Sequence, residues 1–216
     1  MKIYLIRHGE SILNGENKIQ GQSDPALSQT GIRQVEILVK GLSKDKYNFI
    51  YCSELLRAKQ TAELISLHLG LPISFHKDLA EIYLGEWEGK TPDEVNSEYN
   101  GDYEKWRKNP TKTLIPGAEN IPEFRKRINR AFRKILRGHK EDDNVIIVAH
   151  AGTITAVIAY ILKGNFDKLI TNMALTNTGI TYVQMYNKKL YITGINDASH
   201  LNKFLIDAKE DIYLEK

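Results

Sequence analysis

The hydrophobic residues of this chain follow two patterns that alternate along its length. Continuous apolar runs at residues 3–6, 49–52 and 145–149 predict buried strands, and residues 71–75 predict a further one. Between the runs, apolar residues recur every three or four positions, as they do on one face of a helix. Strands and helices that alternate in this way favour an α/β layered fold over one that segregates them.

Boundary residues indicate where the helices begin and end. Ser53 is the predicted N-cap of a helix that runs to Leu69, with Gly70 after its last turn. Thr91 begins another helix, because Pro follows it directly and Glu94 completes a capping box. The same spacing predicts further helices over residues 28–42, 121–138 and 151–162.

The last part of the pattern predicts a β-hairpin. Residues 180–186 and 190–195 have the composition of strands and are joined by the polar residues 187–189. The tail at residues 204–216 mixes apolar and charged side chains and predicts no element.

Residues 99–119 interrupt the alternation. They are polar and include Pro116 and Gly117, which indicates an excursion from the sheet and not a second domain. No internal repeat or low-complexity linker divides the sequence. We therefore expect one domain over residues 1–216, with a helical or loop excursion at about residues 90–120.

Composition and charge exclude several classes of partner. Of the 216 residues, 42% are hydrophobic and 26% are charged, as in an ordinary soluble globular protein. The 30 basic residues are dispersed among 27 acidic ones, whereas a nucleic-acid groove concentrates its basic residues on one face. No apolar stretch approaches the ~18 residues of a membrane span, and the single cysteine, Cys52, indicates a reducing compartment. We therefore expect a cytoplasmic protein with neither a nucleic-acid nor a membrane partner.

Basic side chains follow the predicted strands. Arg7 and His8 come directly after the first strand, Ser53 and Arg57 after the second, and His150 after the later one. If these strands are neighbours in a parallel sheet, two arginines and two histidines converge at one edge. Taken singly, Arg57 is explained as a surface cation and His150 as a packed core histidine. Burying several such groups together without an anion is costly, so the set predicts a phosphate site.

The two imidazoles suit different tasks at such a site. An imidazole with a pKa near 6.5 is largely unprotonated at neutral pH and can attack phosphorus. Gly9 leaves room beside His8, so we predict His8 as the nucleophile and His150 as a group that holds the charge of the transferring phosphoryl group. The helix that starts near Gly152 would add backbone N–H donors. The sequence offers no convincing set of metal ligands, so we expect no metal and no cofactor.

The leaving oxygen of an alkyl phosphate also needs a proton. Residues 79–89 offer three carboxyls, those of Glu81, Glu86 and Glu88. Apolar and aromatic neighbours would raise the pKa of Glu81 and keep it protonated. Spacing alone does not choose among the three, and a solvated loop carboxylate is the ordinary alternative.

These motifs together resemble the histidine phosphatase superfamily, which is also called phosphoglycerate mutase-like. The similarity runs from residue 1 to about residue 201 and includes several ordered motifs. They are Arg7-His8-Gly9-Glu10, then Ser53 with Arg57-Ala58 and Thr61-Ala62, the loop at residues 81–89, His150 within residues 148–152, and the late Asn177-Thr178 and residues 196–201.

The resemblance implies a fold and a set of roles. The fold is a three-layer α/β/α sandwich with a mostly parallel central sheet, and the reaction passes through a phosphohistidine on His8. Glu81 is implied as the acid and then the base, in preference to its two neighbours. The implied catalytic residues are Arg7, His8, Arg57, Glu81 and His150. The implied phosphate- or substrate-binding residues are Arg7, Asn14, Gln20, Gly21, Arg57, His150 and Ala151.

Within the family the choice lies between a phosphatase and a mutase. Ile82 and Leu84 stand where the family's mutases usually carry an Arg and a Tyr, and residues 90–120 show no paired arginines. A phosphatase that acts on a small phosphorylated metabolite is therefore the favoured hypothesis, with a phosphoglycerate mutase as the alternative. A third hypothesis is a phosphate-binding module without turnover, against which both histidines and Glu81 argue.

Selectivity is expected to come from the excursion at residues 90–120, which the resemblance places over the active site. Tyr99, Tyr103 and Trp106 in this segment either cover the leaving group or form a small satellite core, and the sequence leaves both alternatives open. A homodimer is expected only by analogy with the family.

Overall fold

A six-stranded mixed sheet forms the centre of the fold in the computed structural model, which describes residues 1–202. The strand order is β3-β2-β4-β1-β5-β6, in which the first four strands are parallel and β5 runs antiparallel to β1. The strands are β1 (Lys2–Arg7), β2 (Phe49–Cys52), β3 (Ile73–Phe75), β4 (Asn144–Ala149), β5 (Ile180–Tyr186) and β6 (Lys189–Asp197). The predicted mostly parallel central sheet is confirmed.

The register places the ends of three strands side by side. In the parallel pair β1 and β4, Arg7 is opposite Ala149, and in the pair β2 and β4, Cys52 is opposite Val148. Residues that directly follow these strands therefore emerge at the same edge of the sheet. The sequence-based expectation that these strands are neighbours is confirmed.

Helices cover both faces of the sheet. They are α1 (Ile12–Gly15), α2 (Gln29–Lys40), α3 (Leu56–Leu69), α4 (Pro92–Glu98), α5 (Asp102–Lys108), α6 (Ile121–Arg137), α7 (Ala151–Leu162) and α8 (Phe166–Asn172). Helices α2 and α3 pack on one face, whereas α6, α7 and α8 pack on the other.

The alternation of side chains along β1 joins these layers. Ile3 and Leu5 lie in the buried cluster with α6 and α7, whereas Tyr4 and Ile6 lie in the cluster with α2 and α3. Successive strand residues point to opposite faces, so one apolar run can serve two cores. The three-layer α/β/α sandwich implied by the resemblance is thereby confirmed.

One helix boundary differs from the prediction. Helix α3 begins at Leu56, and its N-cap is Leu55, without a side-chain cap. The predicted N-cap, Ser53, is wrong, because it lies two residues before Leu55, where its hydroxyl accepts the N–H of Leu55 at 3.3 Å and contacts Nε2 of His150 at 2.7 Å. The capping box of α4 is confirmed, since Thr91 and Glu94 each bond the other's backbone N–H.

The predicted hairpin and excursion both correspond to ordered elements. Asn187 and Lys188 join β5 to β6 with φ of 49° and 58°, as a two-residue hairpin turn of type I′ requires. The segment at residues 99–119 contains α5 and a short 3₁₀ turn at Pro110–Lys112.

The tail at residues 204–216 lies outside the described residues. Within residues 1–202, the helices are too short or too polar for any of them to cross a membrane.

The buried face of α3 generates a stability prediction. Ile65 is fully buried against the sheet, so Ile65→Ala is expected to lower the free energy of unfolding by about 2–5 kcal/mol. Leu67 lies on the same helix with 83% of its surface exposed, so Leu67→Ala should change it by less than about 0.5 kcal/mol. Urea denaturation measures both variants. Equal losses would contradict this assignment of the packed face.

Candidate active site

A cavity of about 330 Å³ opens where β1 and β4 end. Of the nine residues expected from the sequence to catalyse or bind, eight line it. These are Arg7, His8, Asn14, Gln20, Gly21, Arg57, Glu81 and Ala151. The ninth, His150, is fully buried, and its ring centroid lies 5.1 Å from that of His8.

The contacts of His8 determine which ring nitrogen carries the proton. Its Nε2 lies 3.3 Å from Nε of Arg57. Because a guanidinium N–H only donates, Nε2 is the acceptor and therefore carries no hydrogen. Its Nδ1 lies 2.6 Å from the carbonyl oxygen of Gly9, which only accepts, so Nδ1 carries the hydrogen. A neutral ring with an unprotonated Nε2 is the form of histidine that can act as a nucleophile.

The electrostatic surroundings favour the same neutral ring. Burial lowers the pKa of His8 well below its usual 6.5, and the charges of Arg57 and Arg7 lower it further. The ring therefore stays unprotonated at neutral pH, as nucleophilic attack requires.

The guanidinium of Arg57 is held on three sides. The residue is 1% exposed, its Nη1 donates to the carbonyl oxygen of Ser23 at 2.7 Å, and its Nη2 donates to that of Gly21 at 2.8 Å. These two carbonyl groups fix the plane of the guanidinium, which leaves Nε directed at His8.

Arg7 is held less completely. Its Nη1 donates to the carbonyl oxygen of Leu175, and its buried Nε has no hydrogen-bond partner among residues 1–202. Burial lowers the pKa of Arg7 to about 10, with Glu81 opposing and Arg57 adding to the effect. The group is still charged at neutral pH, so two buried cations, Arg7 and Arg57, share the cavity with one carboxyl. Such an arrangement favours an anionic ligand.

His150 is anchored by Ser53. Its Nε2 lies 2.7 Å from Oγ of Ser53, and its buried Nδ1 has no partner in the described part of the chain. Burial and the charge of Arg57 lower the pKa of His150 well below 6.5. Ser53 therefore orients a ring at the site, a role that sequence reasoning missed although Ser53 opens a recognised motif.

Glu81 is positioned by backbone donors. Its carboxyl accepts the N–H groups of Ile82 and Gly152, each at 2.8 Å. Burial raises the pKa of Glu81, as the sequence predicts, while these two donors and Arg57 act against the rise. The N–H of Gly152, expected to bind phosphate, serves Glu81 instead. A Cβ at Gly152 would collide with this carboxyl, so a larger residue there would displace it from its present position.

The other two carboxyls of the loop at residues 79–89 have different tasks. Glu88 accepts three backbone N–H bonds of 2.7–2.9 Å, which tie residues 22–23 to Leu84. Glu86 is exposed and accepts from the hydroxyl of Tyr99 at 3.0 Å. Neither lines the cavity, which therefore holds one of the three candidate acids.

Over residues 1–202, no three His, Cys, Asp or Glu side chains are grouped so that they could hold a metal ion.

Arg127 of α6 clamps the acid loop, residues 79–89, and sequence reasoning missed it. Its Nη1 donates to the carbonyl oxygen of Ala80 at 2.9 Å, and its Nη2 donates to that of Glu81 at 3.2 Å. The same guanidinium forms a bidentate pair with Glu119, at 2.9 and 2.7 Å. No local motif distinguishes Arg127 from the other arginines of this helix.

Gly9 is required for a different reason from the one expected. The sequence suggests that it leaves room beside His8. A Cβ at Gly9 would instead lie 2.7 Å from the carbonyl oxygen of Gly31 and 3.0 Å from Val35. Gly9 therefore allows α2 to pack directly against the chain that follows β1.

The amides of Asn14 and Gln20 line the cavity while held by neighbours. Oδ1 of Asn14 accepts from Nδ2 of Asn177 at 3.3 Å, and Oε1 of Gln20 accepts from the hydroxyl of Ser11 at 2.6 Å. Both side chains are thus oriented before a ligand arrives.

Thr178 connects the backbone at His8 to β5, and the sequence shows it only as part of a late motif. Its N–H donates to the carbonyl oxygens of Arg7 and His8, at 3.0 and 3.3 Å, and its hydroxyl lies 2.9 Å from Nε2 of His200. Its φ is 60°, a strained value for a buried β-branched residue. The strain is located next to the reactive ring.

The aromatic residues of the excursion form the small cluster that was one of the two alternatives, and two of them also line the cavity. The ring of Tyr103 lies 6.2 Å from that of Trp87 and 6.1 Å from that of Trp106, which forms a small aromatic cluster. Tyr103 and Trp106 also line the cavity, whereas Tyr99 does not. Residues of the excursion therefore form part of the wall of the site.

Comparison with known proteins agrees with this geometry. The chain is 32% identical to the putative phosphoserine phosphatase 2 of Hydrogenobacter thermophilus, over 92% of this chain and 97% of that protein. It is 28% identical to the adenosylcobalamin/alpha-ribazole phosphatase of Escherichia coli, over 75% of this chain and 79% of that protein. Its fold matches that of Bacillus stearothermophilus YhfR with a TM-score of 0.87, at 28% identity and with 93% and 99% of the two chains covered. The sequence model of the histidine phosphatase superfamily (branch 1) matches residues 3–198, and the chain therefore belongs to that superfamily.

Proposed function

We propose that this chain is a phosphomonoester phosphatase that acts on small phosphorylated metabolites, without a metal ion, through a phosphohistidine on His8. The observation that carries the proposal is the pair of contacts that assigns the tautomer of His8. Its unprotonated Nε2 lies beside the guanidinium of Arg57, in a cavity that also contains Arg7. A neutral nucleophile next to two fixed cations suits attack on a dianionic phosphoryl group.

The first step forms the phosphohistidine. Nε2 of His8 attacks phosphorus, the N–P bond forms, and the bond between phosphorus and the ester oxygen breaks. The departing oxygen takes the proton of Glu81, whose raised pKa keeps that proton available. Arg7 and Arg57 stabilise the charge of the transferring oxygens, and His150, whose Nε2 accepts from the hydroxyl of Ser53, adds an N–H donor at Nδ1.

The second step releases phosphate. A water molecule attacks phosphorus and gives a proton to the Glu81 carboxylate, and the electron pair of the N–P bond returns to Nε2 of His8. Inorganic phosphate leaves with the hydroxyl of that water. Glu81 is protonated again and His8 is neutral, so the starting state is restored.

The relatives support a small organic phosphomonoester as the substrate. Two of them carry names that specify phosphoserine or alpha-ribazole phosphate. Ile82 and Leu84 line the cavity with apolar side chains, so these positions provide no charged group for the carboxylate of a phosphoglycerate. This favours a phosphatase over a mutase. The placement of Glu81 favours turnover over binding alone.

We further propose the domain organisation, the location and the oligomeric state of the protein. Residues 1–216 form one domain, with the excursion at residues 90–120 over the active site, and the contribution of that segment to the cavity wall supports this. A cytoplasmic location is supported by Cys52, a buried free thiol. A homodimer rests on the family resemblance, and sedimentation of the purified protein tests it.

Removal of the nucleophile should abolish turnover. His8→Ala is expected to lower kcat for a phosphomonoester by a factor on the order of 10⁴ or more, because no other side chain replaces Nε2. The acid-labile label from a radioactive phosphomonoester should disappear in the same variant. A chelator should leave the wild-type rate unchanged.

His76→Ala is the matched control for this variant. Like His8, His76 directly follows a strand, but it is only partly buried and does not line the cavity. Both the rate and the label should therefore be retained in His76→Ala. Strict dependence on a metal ion, or a label that persists in His8→Ala, would contradict the mechanism.

The role of Glu81 as acid should appear as a dependence on the leaving group. Glu81→Gln is expected to lower kcat/KM for an alkyl phosphate by roughly 10²–10⁴. For para-nitrophenyl phosphate the loss should be much smaller, because para-nitrophenolate departs without a proton. Equal losses for the two esters would refute the assignment.

The pH profile tests the same residue from another side. Since burial raises the pKa of Glu81, wild-type kcat/KM for the alkyl ester should fall as pH rises through that raised value. Since burial lowers the pKa of His8, protonation of its ring should lower kcat/KM only at pH values well below 6.5. Glu81→Gln should lose the alkaline decline and keep the acidic one.

The clamp on the acid loop gives a further prediction. Arg127→Lys keeps the charge but loses the bidentate fork, so Glu81 should be less well placed. We expect kcat/KM for the alkyl ester to fall by roughly tenfold, with a smaller change for para-nitrophenyl phosphate. Arg130→Lys, three residues later on α6 and 63% exposed, should leave both values unchanged. A uniform loss across the two esters would indicate a merely structural role.

A further inference from the structure

The cavity contains more than the groups that would hold phosphate, and the rest of its wall is mainly apolar. At about 330 Å³ it has the size of a pocket for a small organic ligand. Side chains from the acid loop, α5 and the end of α8 contribute to this part of the wall. They are Ile82, Leu84, Tyr103, Trp106, Ile170 and Met173.

The charged groups of this wall are few. Apart from the two arginines and the acid described above, Lys18 is the one charged side chain among the described residues that line the cavity. Its ammonium already pairs with Glu16 at 2.8 Å, and the two side chains are 35% and 47% exposed. A leaving group such as serine, with an ammonium and a carboxylate, would find one engaged cation and no second carboxyl. An unpaired charge against an apolar wall is unfavourable.

The aromatic part of the wall offers a ligand the surface of rings. Tyr103 and Trp106 have ring centroids 6.1 Å apart and planes inclined by 24°, a stacked arrangement. The buried indole N–H groups of Trp87 and Trp106 have no partner within residues 1–202, although a buried indole N–H usually finds one. Both residues line the cavity, while their nitrogens are enclosed, so a ligand would meet the faces and edges of the rings and not the N–H groups.

We infer that the preferred substrate is the phosphate ester of an uncharged alcohol that carries an apolar ring, and not of an amino acid or a sugar acid. The ring packs against the apolar and aromatic wall, and no charge of the leaving group is left unpaired there. This inference rests on the proposed phosphatase activity and specifies its substrate class.

Three esters of primary alcohols separate the effect of the ring from that of charge. For the wild-type protein, kcat/KM should decrease from benzyl phosphate to propyl phosphate to phosphoserine. We expect benzyl phosphate to exceed phosphoserine by at least roughly tenfold, because burying the ring is favourable and burying unpaired charges is not.

One variant removes part of the aromatic wall. Trp106→Ala should lower kcat/KM for benzyl phosphate by roughly tenfold and leave the ratio of propyl phosphate to phosphoserine unchanged. Tyr186→Ala is the control, since Tyr186 is an aromatic residue on β5 that is 61% exposed and does not line the cavity. It should leave all three values unchanged.

The outcomes distinguish this inference from the proposed function. Wild-type turnover in which phosphoserine equals or exceeds benzyl phosphate would overturn the substrate class and leave the phosphatase activity standing. A loss in Trp106→Ala that is equal for all three esters would also overturn it. If none of the three exceeds the background of His8→Ala, the proposed function fails and the inference fails with it. The wild-type order decides the question even if Trp106→Ala does not fold.

Discussion

The site depends on holding two guanidinium groups and two imidazole rings in one buried space. Burial and the nearby arginine charges push the pKa values of His8 and His150 down, which keeps both rings neutral. The same charges are costly to bury, because only the Glu81 carboxyl opposes them inside the cavity. A dianionic phosphoryl group offsets that cost while it meets an uncharged nucleophile. The two buried arginine charges therefore lower the stability of the fold and at the same time favour the binding of an anion.

Most of the supporting contacts act on the backbone near the reactive side chains. Arg127 donates to carbonyl groups of the acid loop. Glu88 accepts backbone N–H groups at residues 22–23, next to the carbonyl groups that hold Arg57. Thr178 likewise bonds main-chain groups of the chain that follows β1. Since main-chain positions are thereby fixed, the side chains of the site need little ordering when a ligand binds. The sheet supplies the common edge, and these contacts set the finer geometry.

The pattern along the chain was enough to predict the sheet edge but not these contacts. Apolar runs reveal buried strands, and the groups that follow them, such as Arg57 and His150, must then lie near one another. Glu81 was singled out by resemblance, because spacing does not separate it from the other loop carboxyls. Arg127 could not be found in this way, since its acceptors are carbonyl groups that every residue has. Local rules predict Ser53 as a helix cap, because they do not reveal its contact with His150, which lies 97 positions away.

The hydrogen bond from Arg57 to His8 exists only while Nε2 keeps its lone pair. In the proposed mechanism that nitrogen becomes bonded to phosphorus, so the N–H of Arg57 loses its acceptor, and a phosphoryl oxygen replaces it with little movement of a guanidinium that Gly21 and Ser23 hold in place. After hydrolysis the freed ring and the departing phosphate would then compete for the same donor. By this proposal the contact between Arg57 and His8 opposes retention of the product.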